Sequence, residues 1–115
     1  GQVVVDPTAS VDTGAVLENP CFIGASARIE AGARIGANSV ISRGVVVREN
    51  ATIDGAIILP GTTIGRSVMV RHSIVGQDSI IDSHAMVGPN VVLGDKSVLT
   101  PYTRTGNGFS LTSKS

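Results

Sequence analysis

Two histidines, one cysteine and a scatter of arginines are the side chains best equipped for chemistry in this chain. An imidazole titrates near neutrality and can take a proton from a hydroxyl or amine, so His72 and His84 are the candidate general bases. Cys21 would act as a nucleophile only in an electropositive, accessible setting. Its place between Pro20 and Phe22 reads more simply as a small interior residue. Arg34, Arg48 and Arg66 could hold a phosphate-bearing ligand. They could equally line a solvated face beside Glu30, Glu49 and Asp54. Asp78, Asp82 and Asp95 lie among turn formers, where carboxylates usually accept hydrogen bonds from nearby backbone N–H groups.

The frame around these residues is small. The chain has 115 residues and a mass of 11.7 kDa, enough for one domain. Hydrophobic residues make up 42% and charged residues 16%, a globular balance. Nine basic and nine acidic side chains cancel, and there is no Trp, one Tyr and two Phe. Neither the basic excess nor the stacking platforms of a nucleic-acid binder is present. No apolar run is long enough to span a membrane, and no leader pattern opens the chain, so a cytoplasmic protein is expected. A single cysteine requires no oxidising compartment. The opening Gly1-Gln2, in place of Met, suggests an excised piece with a tag-derived glycine.

What positions the candidate residues is a repeat. From Val5, every sixth residue is aliphatic: Val11, Leu17, Ile23, Ile29, Ile35, Ile41, Val47 and Ile53. A five-residue step leads to Ile58, Ile64 and Val70, and another to Val75, Ile81, Val87, Leu93 and Leu99. These are seventeen aliphatics in unbroken register. Gly or Asp often follows the aliphatic, turn formers such as Pro7, Asn38 and Asn50 come next, and a small residue such as Ala27, Ala33 or Ser39 stands two places before the next aliphatic. Each hexad reads as a short strand and a sharp corner, and recurrent Gly, Pro and Asn exclude a long helix. Three hexads make one triangular coil, and stacked coils pair as parallel strands.

The repeat places the chemistry. Cys21 takes the small corner position. His72 and His84 both fall at corners, on different sides, so they do not meet within one chain. The same count sets Arg34, Arg48 and Arg66 on one side, near His84. The residue before each inward aliphatic points outward, and apolar side chains stand at many such positions: Val16, Phe22, Val40, Val46, Met69, Ile80, Met86, Val92 and Val98. Val46, Ile80 and Val98 share one side, interrupted by Thr63, and Met69 and Met86 share another. Exposed apolar columns mark interfaces, and the expectation is a homo-oligomer, with a trimer packed along the Val46 side favoured.

The motif of aliphatic, Gly, variable, small residues, repeated from residue 5 to about 104, resembles the hexapeptide-repeat left-handed parallel β-helix family. The resemblance implies an all-β fold, a single-stranded left-handed parallel β-helix of about 5–6 triangular coils. It also implies the hand, since general crossover rules would favour the opposite one. The expected division is a β-helix over residues 1–104 and a polar tail or cap over 105–115; Tyr102, Phe109 and Leu111 could cover the last coil or dock on a neighbouring subunit. Members of this family that are γ-class carbonic anhydrases hold zinc with three histidines; this chain has two and lacks the paired spacing, so no metal is expected. Acyltransferase members use one histidine as general base and build an acceptor pocket from an external loop. His72 or His84 would serve in that alternative, with acyl-coenzyme A lying along a groove between subunits. Every step from Val5 to Leu99 is five or six residues, which leaves no room for such a loop.

Asp54 to Gly76 carries a narrower resemblance. Ile58-Leu59-Pro60-Gly61, then Ile64-Gly65, then Ser73-Ile74-Val75-Gly76, are similar to the C-terminal β-helix of sugar-nucleotide pyrophosphorylases, mannose-1-phosphate guanylyltransferases in particular. Asp6-Pro7-Thr8-Ala9 and Phe22-Ile23-Gly24 resemble the start of that domain. In such enzymes catalysis belongs to an N-terminal nucleotide-binding domain with a glycine-rich phosphate loop, which this sequence does not contain. The resemblance therefore implies a non-catalytic oligomerisation or scaffold domain of a sugar-1-phosphate nucleotidyltransferase, with no catalytic, cofactor or metal residues of its own and no nucleic-acid or membrane partner.

Overall fold

The computed structural model describes residues 2–106, and among them no helical turn occurs. Eighteen short strands follow one another around a triangle and stack into three parallel sheets of six strands each. The first face is built from Val3–Val5, Cys21–Ile23, Ser39–Ile41, Ile57–Ile58, Ile74–Val75 and Val92–Leu93. The second face is built from Ser10–Val11, Arg28–Ile29, Val46–Val47, Thr63–Ile64, Ile80–Ile81 and Val98–Leu99. The third comprises Val16–Leu17, Arg34–Ile35, Thr52–Asp54, Met69–Arg71, Met86–Val87 and Arg104–Thr105. Six coils result, one strand per face per coil. The expected β-solenoid is the observed fold.

The hexad chemistry explains the coil. Side chains alternate across a strand, so the aliphatic of each hexad enters the triangle and its predecessor leaves it. Fourteen of the seventeen register aliphatics, Ile23 through Leu99, are buried. The remaining three belong to the first coil: Val11 and Leu17 are half-buried against the core, and Val5 is 40% exposed. The first coil has a neighbour on one side only and its register aliphatics stay partly wet, whereas Leu93 and Leu99 in the last coil are 5% and 7% exposed. The small position is buried too, with Ala27, Ala33, Ala51, Ala56 and Ala85 filling the corners at 1% exposure or less.

From the second coil on, each corner turns on a residue in the left-handed region, among them Ser26, Asn38, Asn50, Ser67, His72 and His84. Backbone bonds bind these corners coil to coil: the His84 N–H donates to the Arg66 carbonyl at 2.9 Å, and the Asn90 N–H to the His72 carbonyl at 2.9 Å. Both five-residue steps fall at the corner between the third and first faces, where Gly55 and His72 make the turn in consecutive coils. The register continues one residue past the expected boundary at 104: Thr105 takes the inward place in the last strand and is 4% exposed. Phe109 and Leu111, expected to cover that end, lie outside the described residues.

Candidate functional site

The chemically able residues occupy corners that do not converge. His72 stands at the corner between the third and first faces, exposed, above Gly55. An added Cβ at Gly55 would come within 2.6 Å of His72 Nδ1, so glycine there makes room for the imidazole. His84 stands at the corner between the second and third faces. Its ring stacks on Tyr102 one coil later, with centroids 4.7 Å apart and planes 9° from parallel. His84 Nδ1 is buried and takes no hydrogen bond from the described residues. The two histidines thus sit on separate corner columns.

The arginine stripe does not form one line, which corrects the count made on the sequence. Arg34 points outward from the third face, while Arg48 and Arg66 lie at the corner between the second and third faces. A strand residue and corner residues of neighbouring hexads were assigned to one side because the corner takes residues from both. Arg34 forms a two-pronged pair with Glu18, Nε to Oε2 at 2.9 Å and Nη2 to Oε1 at 3.0 Å. These hydrogen bonds hold the Glu18 carboxyl below its ordinary range and raise the already high Arg34 value. Glu30 lies 3.5 Å from Arg28 and 4.0 Å from Arg48. Arg28 and Arg48 line one shallow, open groove with Glu30 and Glu49, and Arg48 and Arg66 line another with Glu49 and Asp82.

The remaining candidates serve the turns. Asp82 Oδ1 accepts from the Ser83 N–H at 2.7 Å, and Asp95 Oδ1 accepts from the Gln77 N–H of the preceding coil at 2.8 Å. Asp6 Oδ1 accepts from both the hydroxyl and the N–H of Thr8, which lowers its carboxyl from the ordinary value. Cys21 is buried, and burial pushes its thiol up, with the Glu18 charge adding to it. Such a thiol packs rather than attacks. Among the described residues no three His, Cys, Asp or Glu side chains gather to hold a metal. Among the described residues no helix is long and apolar enough to cross a membrane.

The outer faces differ sharply. The second presents Ser10, Arg28, Val46, Thr63, Ile80 and Val98, and the third presents Val16, Arg34, Thr52, Met69, Met86 and Arg104. Val46, Ile80 and Val98 share the second face and Met69 and Met86 the third, as the sequence count placed them. The first face presents Val4, Phe22, Val40, Ile57, Ile74 and Val92, apolar in all six coils and paired rung to rung in register. The sequence reading missed this column because Val4 precedes the first counted aliphatic and Ile57 and Ile74 fall within the two five-residue steps, where the hexad count resets. Counting back one place from Ile58 and Val75 would have found it.

The match that decides the family runs from residue 17 to 115, nearly the whole repeat, and is to the GMPPB C-terminal domain. This chain belongs to that family. A GMPPB C-terminal domain is thus a left-handed β-helix of six coils here, related to the C-terminal domains of sugar-nucleotide pyrophosphorylases, as the stretch from Ile58 to Gly76 led us to expect. No curated protein matches the chain. Among solved structures it is similar to AntD, an N-acyltransferase from Bacillus cereus in complex with dTDP and 3-hydroxybutyryl-CoA, at 17% identity and a TM-score of 0.41, covering 88% of this chain and 73% of that one. It is also similar to the acetyltransferase domain of PglB from Neisseria gonorrhoeae, at 19% identity and a TM-score of 0.35, covering 86% of this chain and 54% of that one. The same PglB domain in complex with acetyl coenzyme A gives 20% identity, a TM-score of 0.29, and coverage of 90% and 51%. At such scores the likeness carries no argument about what a GMPPB C-terminal domain binds.

Proposed function

We propose that this chain is the scaffold portion of a sugar-1-phosphate nucleotidyltransferase: a non-catalytic β-helix that self-associates and so sets the placement of a nucleotide-binding catalytic domain. Family membership over residues 17–115 carries the reading. The chemistry of the corners supports it. A general base is oriented through its second ring nitrogen, and His84 Nδ1 is buried without such a partner. Arg34 is held by Glu18. A lone buried thiol suits a reducing compartment, and we place the protein in the cytoplasm.

The competing reading is acyl transfer with His72 or His84 as base. Calorimetry with acetyl-coenzyme A separates the two. The scaffold reading expects no binding, and no change on His72→Ala or His84→Ala. Binding that either substitution abolishes, with the fold intact by circular dichroism, would sink it. The reading frame upstream of Gln2 gives a second check: a nucleotide-binding domain is expected there.

A further inference from the structure

We infer that the first face is where two copies of this chain join, rods side by side and parallel, each rung against its own counterpart. The inference rests on the scaffold reading and names its partner and surface. Of the three faces, only the first has outward residues that are all apolar. Val4, Phe22, Ile57, Ile74 and Val92 are exposed by 37–75%, although each is large and hydrophobic. Bare apolar columns of this length are uncommon on surfaces that stay in water.

Three observations select a second copy as the occupant. The first is pitch. The six outward residues are in register along parallel strands, so they repeat at about 4.8 Å. A second copy carries the same repeat, and its rungs mesh along the whole rod. The second is area. Six strands at that spacing on a rod 23 × 21 Å in cross-section give a face of about 600 Å². Two such faces bury about 1,200 Å², the lower bound of a stable specific interface. The third is the rim. Charges lie only along the two edges, the arrangement of an apolar interface core with a polar border. At the level of Ile74, Arg71 stands on one edge and Asp78 on the other, both exposed. A two-fold axis along the rods sets Arg71 of each copy opposite Asp78 of the other. The second and third faces, which carry Arg28, Arg34 and Arg104, would bring charges against this column. A three-fold ring must use two different faces per copy, so the column favours two copies over the three expected from the Val46 side.

Sedimentation equilibrium at tens of micromolar tests this. The expected mass is that of two chains. Ile57→Lys and Ile74→Lys should give monomers with an unchanged circular dichroism spectrum, and Ile80→Lys on the second face should leave the pair intact. Val92→Lys, at a site already 75% exposed, gives the same answer should the other two variants fail to fold. Arg71→Asp and Asp78→Arg should each weaken pairing about tenfold, and the double exchange should restore it. A monomeric parent chain, a mass of three chains, or dissociation by Ile80→Lys and not by Ile57→Lys overturns the inference. Failure of the double exchange to restore pairing overturns the parallel arrangement. None of these outcomes touches the coenzyme A assay, which judges the scaffold reading separately.

Discussion

Ile81 and Val5 hold the same place in the repeat and live in different surroundings. Ile81 is fully buried in an interior coil, with Ile64 and Leu99 as its register partners above and below. Val5 is 40% exposed at the open end. A carboxylate at position 81 has neither water nor a counter-charge, and burying it unpaired costs more than a small domain's whole stability. Ile81→Asp, like Ile35→Asp, should therefore abolish the fold, while Val5→Asp should lower the melting temperature by only a few degrees, about 1 kcal/mol. Thermal melts of the three variants check this. Glu18 gives a pH dependence at the same scale. Hydrogen bonds from Arg34 lower its carboxyl below the ordinary 4.5. A carboxyl depressed by folding stabilises above its unfolded value, and that stability is lost as pH falls through the folded one. The melting-temperature gap between the parent chain and Glu18→Gln should be open at pH 7 and close in acid, below about 4.5. A gap that persists at pH 2 would show that the pair acts through packing alone.

At the scale of the strand and corner, buried hydroxyls do what backbone cannot. Thr62 is fully buried at the small position, donates to the Gly76 carbonyl at 2.6 Å and accepts from the Ser79 N–H at 3.1 Å. Ser79 Oγ in turn accepts from the Ser97 N–H at 3.1 Å. Ser39 Oγ meets the Ala56 N–H, and Ser73 Oγ meets the Val91 N–H, at the tight corners. Replacing Thr62 by Val keeps the shape and strands a buried donor and a buried acceptor, at a cost of about 1–3 kcal/mol. Thr62→Ser, which keeps the hydroxyl, should cost clearly less, and equal losses in urea titrations would refute the ladder. The small side chains at these places were legible in the sequence; their hydroxyl bonding was not, because Ser and Ala fill a corner equally well. The inward aliphatics were legible because one residue per hexad must enter the triangle whatever surrounds it. The outward column was half-legible. Phe22, Val40 and Val92 stood out, and Ile57 and Ile74 were passed over beside the shortened steps. Arg34 was misplaced for a related reason: position along the hexad says which way a strand residue points, and says much less at a corner.

The whole molecule is close to one-dimensional. Each coil touches only its neighbours, so stability is a sum of coil terms and coil–coil contacts. The two ends of the described rod are unequal. Near the last coil, Leu93, Leu99 and Thr105 remain 5%, 7% and 4% exposed. In the first coil Val3, Val4 and Val5 are 38–41% exposed, and Val11 and Leu17 are half-buried. The strands of both end coils are hydrogen-bonded to a neighbour on one side only, but the first coil has less apolar contact to lose. Opening should start there and move along the rod coil by coil, with free energies that rise toward the centre. Hydrogen exchange followed by mass spectrometry should find amides of residues 3–17 exchanging well before those of residues 39–81. Pairing through the first face would slow exchange in every coil without changing that order, because the face runs the length of the rod. Uniform protection from residue 3 to residue 99 would instead mean that the six coils open as a single unit. Nearest-neighbour contacts would then be too weak a description of what holds the rod together.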